Sequence, residues 1–283
     1  MILYVSDGRL GNQLFQLAFI ESIAQKNEKI IFVCLKNELD MVFIRSNRLF
    51  ILETRKIFWY FLKAITSAKL LDYLCVVLGL GYAAQKIKNG VFLDSYKHRR
   101  GIFPVTVVKP GFFQSEMFFN VEKLNISILK KHVKKAEVLF DQWRKYDVVV
   151  FVHVRRGDYQ KEMFLGKEGI CLPLSYYKKV ITDVQQGYAN PFFVFVSDDF
   201  DFVKRSFGFV ENKYISNSSM GVDLALMSLC DFGVCANSSF SWWGAWLCKR
   251  RGKVYFPKYW YGWRVSFDSH PGIIPKWGFA FQV

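Results

Sequence analysis

The stretch DVVVFVHVRRGD, residues 147–158, decides the fold class of this chain. It opens with an apolar run rich in valine, and such runs are typical of parallel strands that are covered on both faces. Arg155 and Arg156 follow the run directly, so we predict them at the carboxyl end of a strand, where α/β proteins form binding sites. The stretch therefore predicts an α/β protein with an anion-binding loop.

Predicted strands alternate with predicted helices on both sides of this stretch, as in doubly wound sheets. The other predicted strands span residues 2–5, 29–35, 105–113, 192–196, 214–215, 232–235 and 253–256. The first predicted helix begins at Asn12, and four others span residues 175–186, 201–206, 223–230 and 241–249. Residues 40–100 are expected to be mostly helical. A boundary within 136–146 would give two facing Rossmann-like domains with parallel sheets, residues 1–140 and 141–283.

The chain carries a large positive charge. Its 283 residues include 39 Lys and Arg against 24 Asp and Glu, a net charge of +15. This surplus favours anionic partners such as nucleotide phosphates, nucleic acid or an acidic membrane face. No basic stripe accompanies a nucleic-acid motif, so nucleic acid is not expected as a partner.

Cysteine usage and the N-terminus bear on the compartment. None of the six cysteines forms a CxxC pair or has the spacing of a metal site. We therefore expect reduced, buried thiols in a cytoplasmic protein. No basic region precedes the first apolar run and no small-residue cleavage site follows it, so no signal peptide is predicted.

The most apolar later segment spans residues 57–84 and is interrupted by Lys63, Lys69 and Asp72. Its longest uncharged part begins at Tyr73 and is too short to cross a bilayer. A buried helix pair is the favoured interpretation. Peripheral contact with the cytoplasmic face of the inner membrane, helped by the positive charge, is the alternative.

A glycine-containing loop, residues 8–13, separates the first predicted strand from the first helix. Gly8 and Gly11 would let backbone amides approach a ligand, and a helix start favours negative charge. Arg9 adds a fork of donors. The loop matches neither GxGxxG nor the P-loop pattern, so an ordinary turn is the alternative interpretation.

The two adjacent arginines are expected to point in opposite directions, because neighbouring side chains alternate at a strand end. Arg155 is expected to face the cleft, where its planar fork would bind two oxygens of a diphosphate. Arg156 would pair inward, with Asp158 as its candidate partner. The alternative is that an Arg–Asp bridge only pins the loop.

Two further polar segments follow predicted strands. Asp198 and Asp199, after Ser197, could meet a metal, a ribose or a sugar hydroxyl, or could cap the next helix. Ser238 and Ser239 begin a helix, where hydroxyls and amides make a phosphate cradle, and an N-cap is the alternative. Trp242 and Trp243 are expected in the core.

Together these motifs resemble the bacterial α-1,2-fucosyltransferases of glycosyltransferase family 11, in order and spacing, from residue 6 to about residue 265. The resemblance is carried by residues 8–16, GFFQSE at 111–116, HVRRGD at 153–158, VSDD at 196–199 and ANSSFSWWGAW at 236–246. It implies the architecture called GT-B, GDP-fucose as donor, inversion at the sugar carbon and no required metal. Residues 37–100 carry little resemblance and are interpreted as acceptor-side variation.

The resemblance also assigns roles to residues. On the donor side it implies Arg155 for the β-phosphate, His153 for the nucleoside, Asp223 for guanine, and Ser238, Ser239 and Phe240 for the diphosphate. From the other domain it implies Arg9, Gly11 and Asn12 near the reacting sugar. The candidate catalytic residues are Arg155, Asn12 and Asp158.

The resemblance implies transfer of L-fucose to the 2-hydroxyl of a galactose. Negative charge builds on the departing GDP, and a positive clamp stabilises it. The sequence does not identify the base, for which Asp158 and Glu116 are candidates. The acceptor is expected to be a β-linked galactose in an oligosaccharide or lipid-linked glycan. There are two alternatives. One is a glycosyltransferase of the same fold that uses another sugar nucleotide, and the other is a non-catalytic protein that binds glycans or nucleotides.

Overall fold

The computed structural model describes residues 1–89, 91–124, 126–248, 252–268 and 270–283. The chain divides into two compact units, one formed by residues 1–127 with 270–273 and the other by residues 128–269 with 274–283. The division falls after Ser127, whereas the sequence analysis placed it after residue 140. The difference is the helix Lys130–Phe140, which packs against the helix Met220–Leu229 and so belongs to the second unit.

The first unit is built on a six-stranded sheet within the described residues. Its strands are β1 (Ile2–Val5), β2 (Ile30–Cys34), β3 (Leu49–Glu53), β4 (Gly81–Lys88), β5 (Val91–Arg99) and β6 (Thr106–Val108). Their order is β3-β2-β1-β6-β4-β5, and neighbours are parallel except for the β4–β5 pair. The helices are α1 (Leu10–Ile23), α2 (Leu39–Val42), α3 (Lys56–Ser67) and α4 (Leu71–Val77).

The second unit holds a fully parallel sheet. In chain order its elements are α5 (Lys130–Phe140), β7 (Val148–Val154), β8 (Met163–Phe164), β9 (Lys167–Glu168), α6 (Leu174–Gly187), β10 (Pro191–Ser197), α7 (Phe200–Ser206), β11 (Lys213–Ile215), α8 (Met220–Leu229), β12 (Phe232–Val234), α9 (Ser239–Leu247), β13 (Val254–Pro257) and β14 (Gly278–Phe281). The sheet order is β11-β10-β7-β12-β13-β14, the strand order of a Rossmann fold, and β8 pairs only with β9.

The central position of β7 confirms the interpretation of residues 147–158. Every residue from Val148 to Val154 is buried, because helices cover both faces of the strand and β10 and β12 cover both its edges. Val150, Val152 and Val154 lie in the core with side chains of α6 and α7. A valine run of this kind therefore places the loop that follows it at the middle of a sheet edge.

The expectation that residues 40–100 are mostly helical is wrong in part. The segment contains β3, β4 and β5 as well as α3 and α4. The strands form because β2 and β6 offer them edges to pair with, and sequence periodicity does not record such long-range pairing. The predicted strand 105–113 is also shorter, since the chain leaves the sheet after Val108.

The predicted burial of the 57–84 helices is wrong. In α3 only Trp59 and Thr66 are buried, and in α4 only Leu71 and Cys75. Within the described residues, no helix combines the length and apolarity that crossing a membrane requires. The predicted helix 241–249 is found as α9, which starts two residues earlier. Lys249 lies outside the described residues.

Candidate functional site

The strand order creates a binding edge in the second sheet. The chain adds β10 on one side of β7 and later returns to add β12 on the other side. Ligands of open α/β sheets bind at such a switch point, outside the carboxyl ends of the strands. Residues 155–160 follow β7 and residues 235–238 follow β12, so both predicted phosphate-binding segments lie there.

Arg155 lies at this switch point between two carboxylates. One terminal nitrogen of its guanidinium lies 2.7 Å from Asp198 Oδ2, and the other donates to Asp158 Oδ1. The guanidinium also lies 5.0 Å from the centroid of the Tyr159 ring. The side chain is only 13% exposed. Its planar fork is therefore held in one orientation before any ligand arrives.

Arg156 pairs with a different residue from the one predicted. Its Nε lies 3.2 Å from Asp199 Oδ2, and its guanidinium carbon lies 3.7 Å from the centroid of the Phe202 ring. Asp158 instead serves Arg155, because the short 3₁₀ turn Gly157–Gln160 folds the chain back toward that side chain. The two arginines have different carboxylate partners, and the predicted pairing of Arg156 with Asp158 is wrong. The prediction that Arg155 faces a cleft stays a prediction.

The two aspartates after β10 have separate structural tasks. Asp199 caps α7, since its Oδ1 accepts from the amide of Phe202 at 3.0 Å. Asp198 holds Arg155 and also accepts from the amide of Arg156 at 2.9 Å. A side chain at Gly157 would place its Cβ 2.5 Å from Asp198 Oδ2, so any larger residue here would force the Asp198 carboxylate to move. Capping explains Asp199, whereas Asp198 is part of the arginine cluster.

His153 is the buried neutral member of the group. Burial, together with the positive charge of Arg155, lowers the pKa of His153 to about 3. Its Nδ1 has no hydrogen-bond partner among the described residues, and its ring lies 5.6 Å from the ring of Phe240. An unpaired buried polar atom at a switch point suits a ligand that brings the missing hydrogen bond.

Ser238 begins α9 and acts as its N-cap. Its hydroxyl accepts from the amide of Phe240 at 3.4 Å, and its side chain is buried. Ser239 is more accessible and occupies the first position of the helix. Trp242 and Trp243 are fully buried, as expected for core residues. The helix start can still bind an anion through its amides and dipole, but the Ser238 hydroxyl already has a structural role.

A connection through tyrosines was missed by the sequence analysis. The Tyr159 hydroxyl donates to the carbonyl of Asn237 at 3.2 Å and lies 3.1 Å from the Tyr261 hydroxyl. Tyr159 thus links the loop after β7 to the loop after β12. Its only sequence signal is its place four residues after Arg155, which does not reveal a contact with residue 237.

Asp223 lies in the first turn of α8 and is largely shielded from solvent. Burial raises the pKa of its carboxyl to about 7, although the Ser216 hydroxyl donates to Oδ1 and opposes that rise. A carboxylate of this kind gains from a ligand that offers N–H donors. The chemistry is compatible with the guanine-reading role that the resemblance implies, which stays a prediction.

The first unit has an equivalent switch point. There β1 is flanked by β2 and by β6, so residues 6–9 and residues 109–114 follow adjacent strands. Gln114 Nε2 donates to Asn12 Oδ1 at 2.8 Å and joins the two segments. Gly8 has a φ of 86°, and a Cβ there would lie 2.4 Å from Asn12 Nδ2. The motifs of residues 8–13 and 111–116 are therefore one structural group.

Glu38 occupies part of the predicted anion site. The amide of Leu10 donates to Glu38 Oε2 at 2.7 Å, and Arg9 Nε lies 3.8 Å from Oε1. Glu38 is buried, whereas the Arg9 side chain is largely exposed. An internal carboxylate thus already uses one amide of the helix start. The sequence analysis missed Glu38 because nothing local marks a residue that acts 28 positions away.

The remaining candidates can be placed as follows. Glu116 lies in the 3₁₀ turn Glu116–Phe118 of the first unit and is half-buried. Asp158 is mostly exposed, and its Oδ1 is engaged by Arg155. The roles of Asn12, Asp158 and Glu116 in catalysis therefore stay predictions.

The cysteines and the candidate metal ligands were also predicted from the sequence. All six cysteines are free thiols, and five are buried. Cys171 is half-buried, with its Sγ 3.6 Å from the carbonyl oxygen of Arg156. In the ranges that the structure describes, no group of three or more His, Cys, Asp or Glu side chains could hold a metal ion. The expectation that catalysis requires no metal stays a prediction.

Several characterised proteins are similar to this chain in sequence. The O-antigen biosynthesis glycosyltransferase WbnK of Escherichia coli is 28% identical over 80% of this chain and 72% of that protein. An alpha-1,2-colitosyltransferase of Escherichia coli is 33% identical, but over only 48% of this chain and 50% of that protein. Galactoside 2-alpha-L-fucosyltransferase Sec1 of Mus musculus is 24% identical over 85% of this chain and 62% of that protein. The chain thus spans less than two thirds of the last two.

The fold is shared with a solved fucosyltransferase. NodZ alpha-1,6-fucosyltransferase soaked with GDP-fucose matches with a TM-score of 0.53 at 11% identity, over 87% of this chain and 91% of that chain. Fold, switch-point motifs and relatives together define a glycosyltransferase of the GT-B class. The model of Glycosyl transferase family 11 matches residues 95–265, more than half of the chain. This chain belongs to glycosyl transferase family 11, which confirms the resemblance seen in its motifs.

Proposed function

We propose that this protein transfers L-fucose from GDP-fucose, with inversion, to the 2-hydroxyl of a β-linked galactose in a glycan. The observation that carries the proposal is Arg155, held between Asp158 and Asp198 at the carboxyl end of β7. Family membership supports glycosyl transfer, and the mouse relative, named a galactoside 2-alpha-L-fucosyltransferase, supports the linkage and acceptor.

The proposed chemistry depends on charge at the leaving group. As the sugar–phosphate bond breaks, negative charge develops on the β-phosphate of GDP. Arg155 and the amides at the start of α9 would stabilise this charge, since the guanidinium is already oriented by its neighbours. The phosphate would then replace Asp158 or Asp198 as a partner of Arg155, while Tyr159 keeps the guanidinium plane in place.

The nucleoside would lie beside β7 and α8. His153 offers an unpaired nitrogen, and Asp223 a carboxylate that can accept from the N–H groups of guanine. Ser239 and Phe240 would line the diphosphate at the start of α9. From the first unit, Arg9, Gly11 and Asn12 are the proposed contacts to the reacting sugar. We further propose a cytoplasmic location and a lipid-linked or oligosaccharide acceptor.

A direct transfer assay tests the donor, the linkage and the acceptor together. Purified protein is incubated with GDP-fucose and either a β-galactoside or its 2-deoxygalactose analogue, and products are assigned by NMR. We expect an α-linked fucose on the galactoside and no product on the analogue. Fucose attached at another hydroxyl, or equal turnover with GDP-mannose or a UDP-sugar, would contradict the proposal.

A second donor is favoured by one specific relative, the alpha-1,2-colitosyltransferase. Colitose is fucose without its 3-hydroxyl, so the two donors differ by a single polar group. A site built to hydrogen-bond that hydroxyl rejects the deoxy sugar by roughly 10⁴–10⁵ in kcat/KM. The ratio of kcat/KM for GDP-fucose and GDP-colitose therefore decides between the two donors.

An arginine variant separates catalysis from binding. Arg155→Ala is expected to lower kcat by about 10²–10³, because one oriented donor to the leaving group is lost. Arg144→Ala is the matched control, since Arg144 is exposed on the surface of the same unit and forms an ion pair with Asp141 at 2.7 Å. A wild-type protein that binds GDP-fucose without turning it over would favour the non-catalytic alternative.

A further inference from the structure

The outer surface of α3 and α4 is apolar although it faces solvent. Its most prominent exposed residues are Ile57, Phe58, Phe61, Ile65, Tyr73 and Val77, and we call this set the α3–α4 face. Ile57 is 87% exposed. Each of the other five side chains is between 47% and 64% exposed. Large exposed apolar patches on soluble proteins mark sites that contact another protein or a membrane.

The inner side of α3 shows that the outward orientation is fixed by the fold. Trp59 Nε1 donates to the carbonyl of Ser6 at 2.8 Å, and Lys63 forms an ion pair with Asp7. Trp59 and Thr66 are the buried side chains of α3, and most of its other large apolar side chains face outward. A surface helix of a soluble protein ordinarily turns its apolar side chains toward the core, so this number of exposed apolar side chains departs from the usual pattern.

The apolar surface continues beyond the helices. The amide of Phe103 donates to the carbonyl of Gly79, which follows α4, and a Cβ at Gly79 would lie 3.1 Å from the Phe103 ring. Ile102 beside it is 91% exposed. Two separate segments of the first unit thus contribute to one apolar surface.

Positive charge borders this surface. Residues 54–71 contain Arg55, Lys56, Lys63 and Lys69 but no Asp or Glu. Arg55, Lys56 and Lys69 are exposed, and the next acid, Asp72, is engaged by Lys109 at 2.8 Å. An apolar face with a basic border matches the acyl and headgroup layers of an anionic bilayer.

We propose that the α3–α4 face docks the protein on the surface of a membrane that contains anionic lipids. A second copy of this chain fits less well, because a symmetric contact would bring the same basic border against itself. With α3 in the plane of the bilayer, Phe58 and Phe61 enter the acyl boundary, and Lys56 and Lys69 contact phosphates.

Vesicle flotation tests the docking without any substrate, so its outcome is independent of the proposed transferase activity. The probes are vesicles of phosphatidylcholine alone and of phosphatidylcholine mixed with phosphatidylglycerol. We expect the wild-type protein to float with the mixed vesicles. Ile57→Ser/Phe61→Ser should lower the partition coefficient at least ~10-fold. Lys56→Glu/Lys69→Glu should lower it at least ~5-fold.

Two matched controls distinguish this face from general adsorption of a basic protein. Val138→Ser/Met163→Ser removes two apolar side chains of the second unit that are also more than half exposed, and Lys131→Glu/Lys135→Glu reverses two exposed charges on α5. Both should bind vesicles within about twofold of wild type. Far-UV circular dichroism checks folding, and the charge-reversal pair carries the test if the apolar double variant unfolds.

Three results would overturn the proposal. One is wild-type protein that does not bind the mixed vesicles. Another is equal loss of binding in the control and α3 variants. The third is a wild-type dimer that becomes monomeric in Ile57→Ser/Phe61→Ser and has no affinity for lipid, which would assign the face to self-association.

Discussion

Asp223 is a largely shielded carboxyl group in the first turn of α8, and its raised pKa makes the stability of the folded protein depend on pH. The folded-state pKa is about 7, raised from the ordinary value of 3.8, so the folded protein holds a proton that the unfolded chain releases. The contribution to stability is complete below the unfolded pKa and is lost as pH rises through about 7.

Replacing Asp223 with Asn removes the loss of stability at high pH, because Asn does not ionise. We expect Asp223→Asn to be more stable than wild type at pH 8, with the difference vanishing toward pH 4, in thermal unfolding followed by circular dichroism. Glu137→Gln, at an exposed position of α5, should show no such dependence on pH. If Asp223 reads guanine, the same variant should bind GDP at least ~10-fold more weakly. A variant less stable than wild type at pH 8 would refute the first expectation.

Asp158 has two possible roles that a single substitution distinguishes. A base in the transferase reaction would lose about 10²–10⁴ in kcat as Asp158→Asn, with little change in KM for GDP-fucose. Since Asp158 is ion-paired with Arg155, we expect the other pattern, a changed KM for GDP-fucose and a kcat within about tenfold of wild type. Steady-state kinetics with saturating acceptor separates the two.

For individual residues, the sequence predicted where a side chain lies in the fold better than which residues it contacts. Arg155, His153 and Ser238 lie at the edge where they were expected, because a strand followed by a loop defines that edge locally. Asp198, Tyr159 and Glu38 act through contacts between distant segments, and no local pattern encodes such contacts. The predicted roles of the site residues await the experiments described.

The loop after β7 depends on the absence of a side chain at Gly157. Gly157→Ala would place a methyl group 2.5 Å from Asp198 Oδ2, so the carboxylate that orients Arg155 must move. We expect a loss of stability of about 1–3 kcal/mol and weaker GDP binding. Calorimetry and titration with GDP measure both effects.

Gly208 provides the control for this substitution, because a Cβ there would meet no atom within 4 Å. Gly208→Ala should leave GDP affinity unchanged. Equal behaviour of the two alanine variants would show that the packing of Gly157 against Asp198 does not matter.

Among the elements, the second unit was predicted well and the middle of the first was not. The predicted strands and helices between residues 147 and 256 are found within a few residues of their predicted bounds, since each buried parallel strand is a compact apolar run. The short strands β8 and β9 and the edge strand β14 were not predicted. Residues 81–88 and 91–99 form β4 and β5, with mixed polar and apolar side chains and half-exposed faces. Their pairing depends on β6, which periodicity cannot indicate.

The outward side of α3 was misjudged for a different reason. Hydrophobicity alone favours burial, and it does not distinguish a core helix from one that meets lipid. Trp59 and Thr66 are the residues that face the sheet, and they are spaced at seven positions. The many other apolar side chains of α3 exceed what a single buried stripe requires.

For the whole molecule, GDP binding should stabilise the fold without a metal. A ligand that binds only the folded protein adds about 2.7 kcal/mol at 100 times its Kd. We expect the same rise in Tm with GDP in EDTA as in MgCl₂, because arginine and helix-start amides supply the positive charge. A rise seen only with Mg²⁺ would contradict the expectation that no metal is required.

In both sheets the motifs follow the central first strand, at the point where the order of strands reverses. β1 and β7 are each the first strand of their sheet, and each is flanked by a strand that the chain adds after reversing direction. This relation could be anticipated from the alternation of strands and helices. The point of division after Ser127 could not, because it depends on α5 packing against α8.

The half-buried thiol of Cys171 is a native attachment point for a fluorescent dye. It lies 3.6 Å from the carbonyl oxygen of Arg156, while the other five thiols are buried. A small maleimide dye should therefore label this position selectively in the folded protein, next to the loop that carries the two arginines. Its emission would follow nucleotide occupancy in real time, with no engineered cysteine and no radioactive donor.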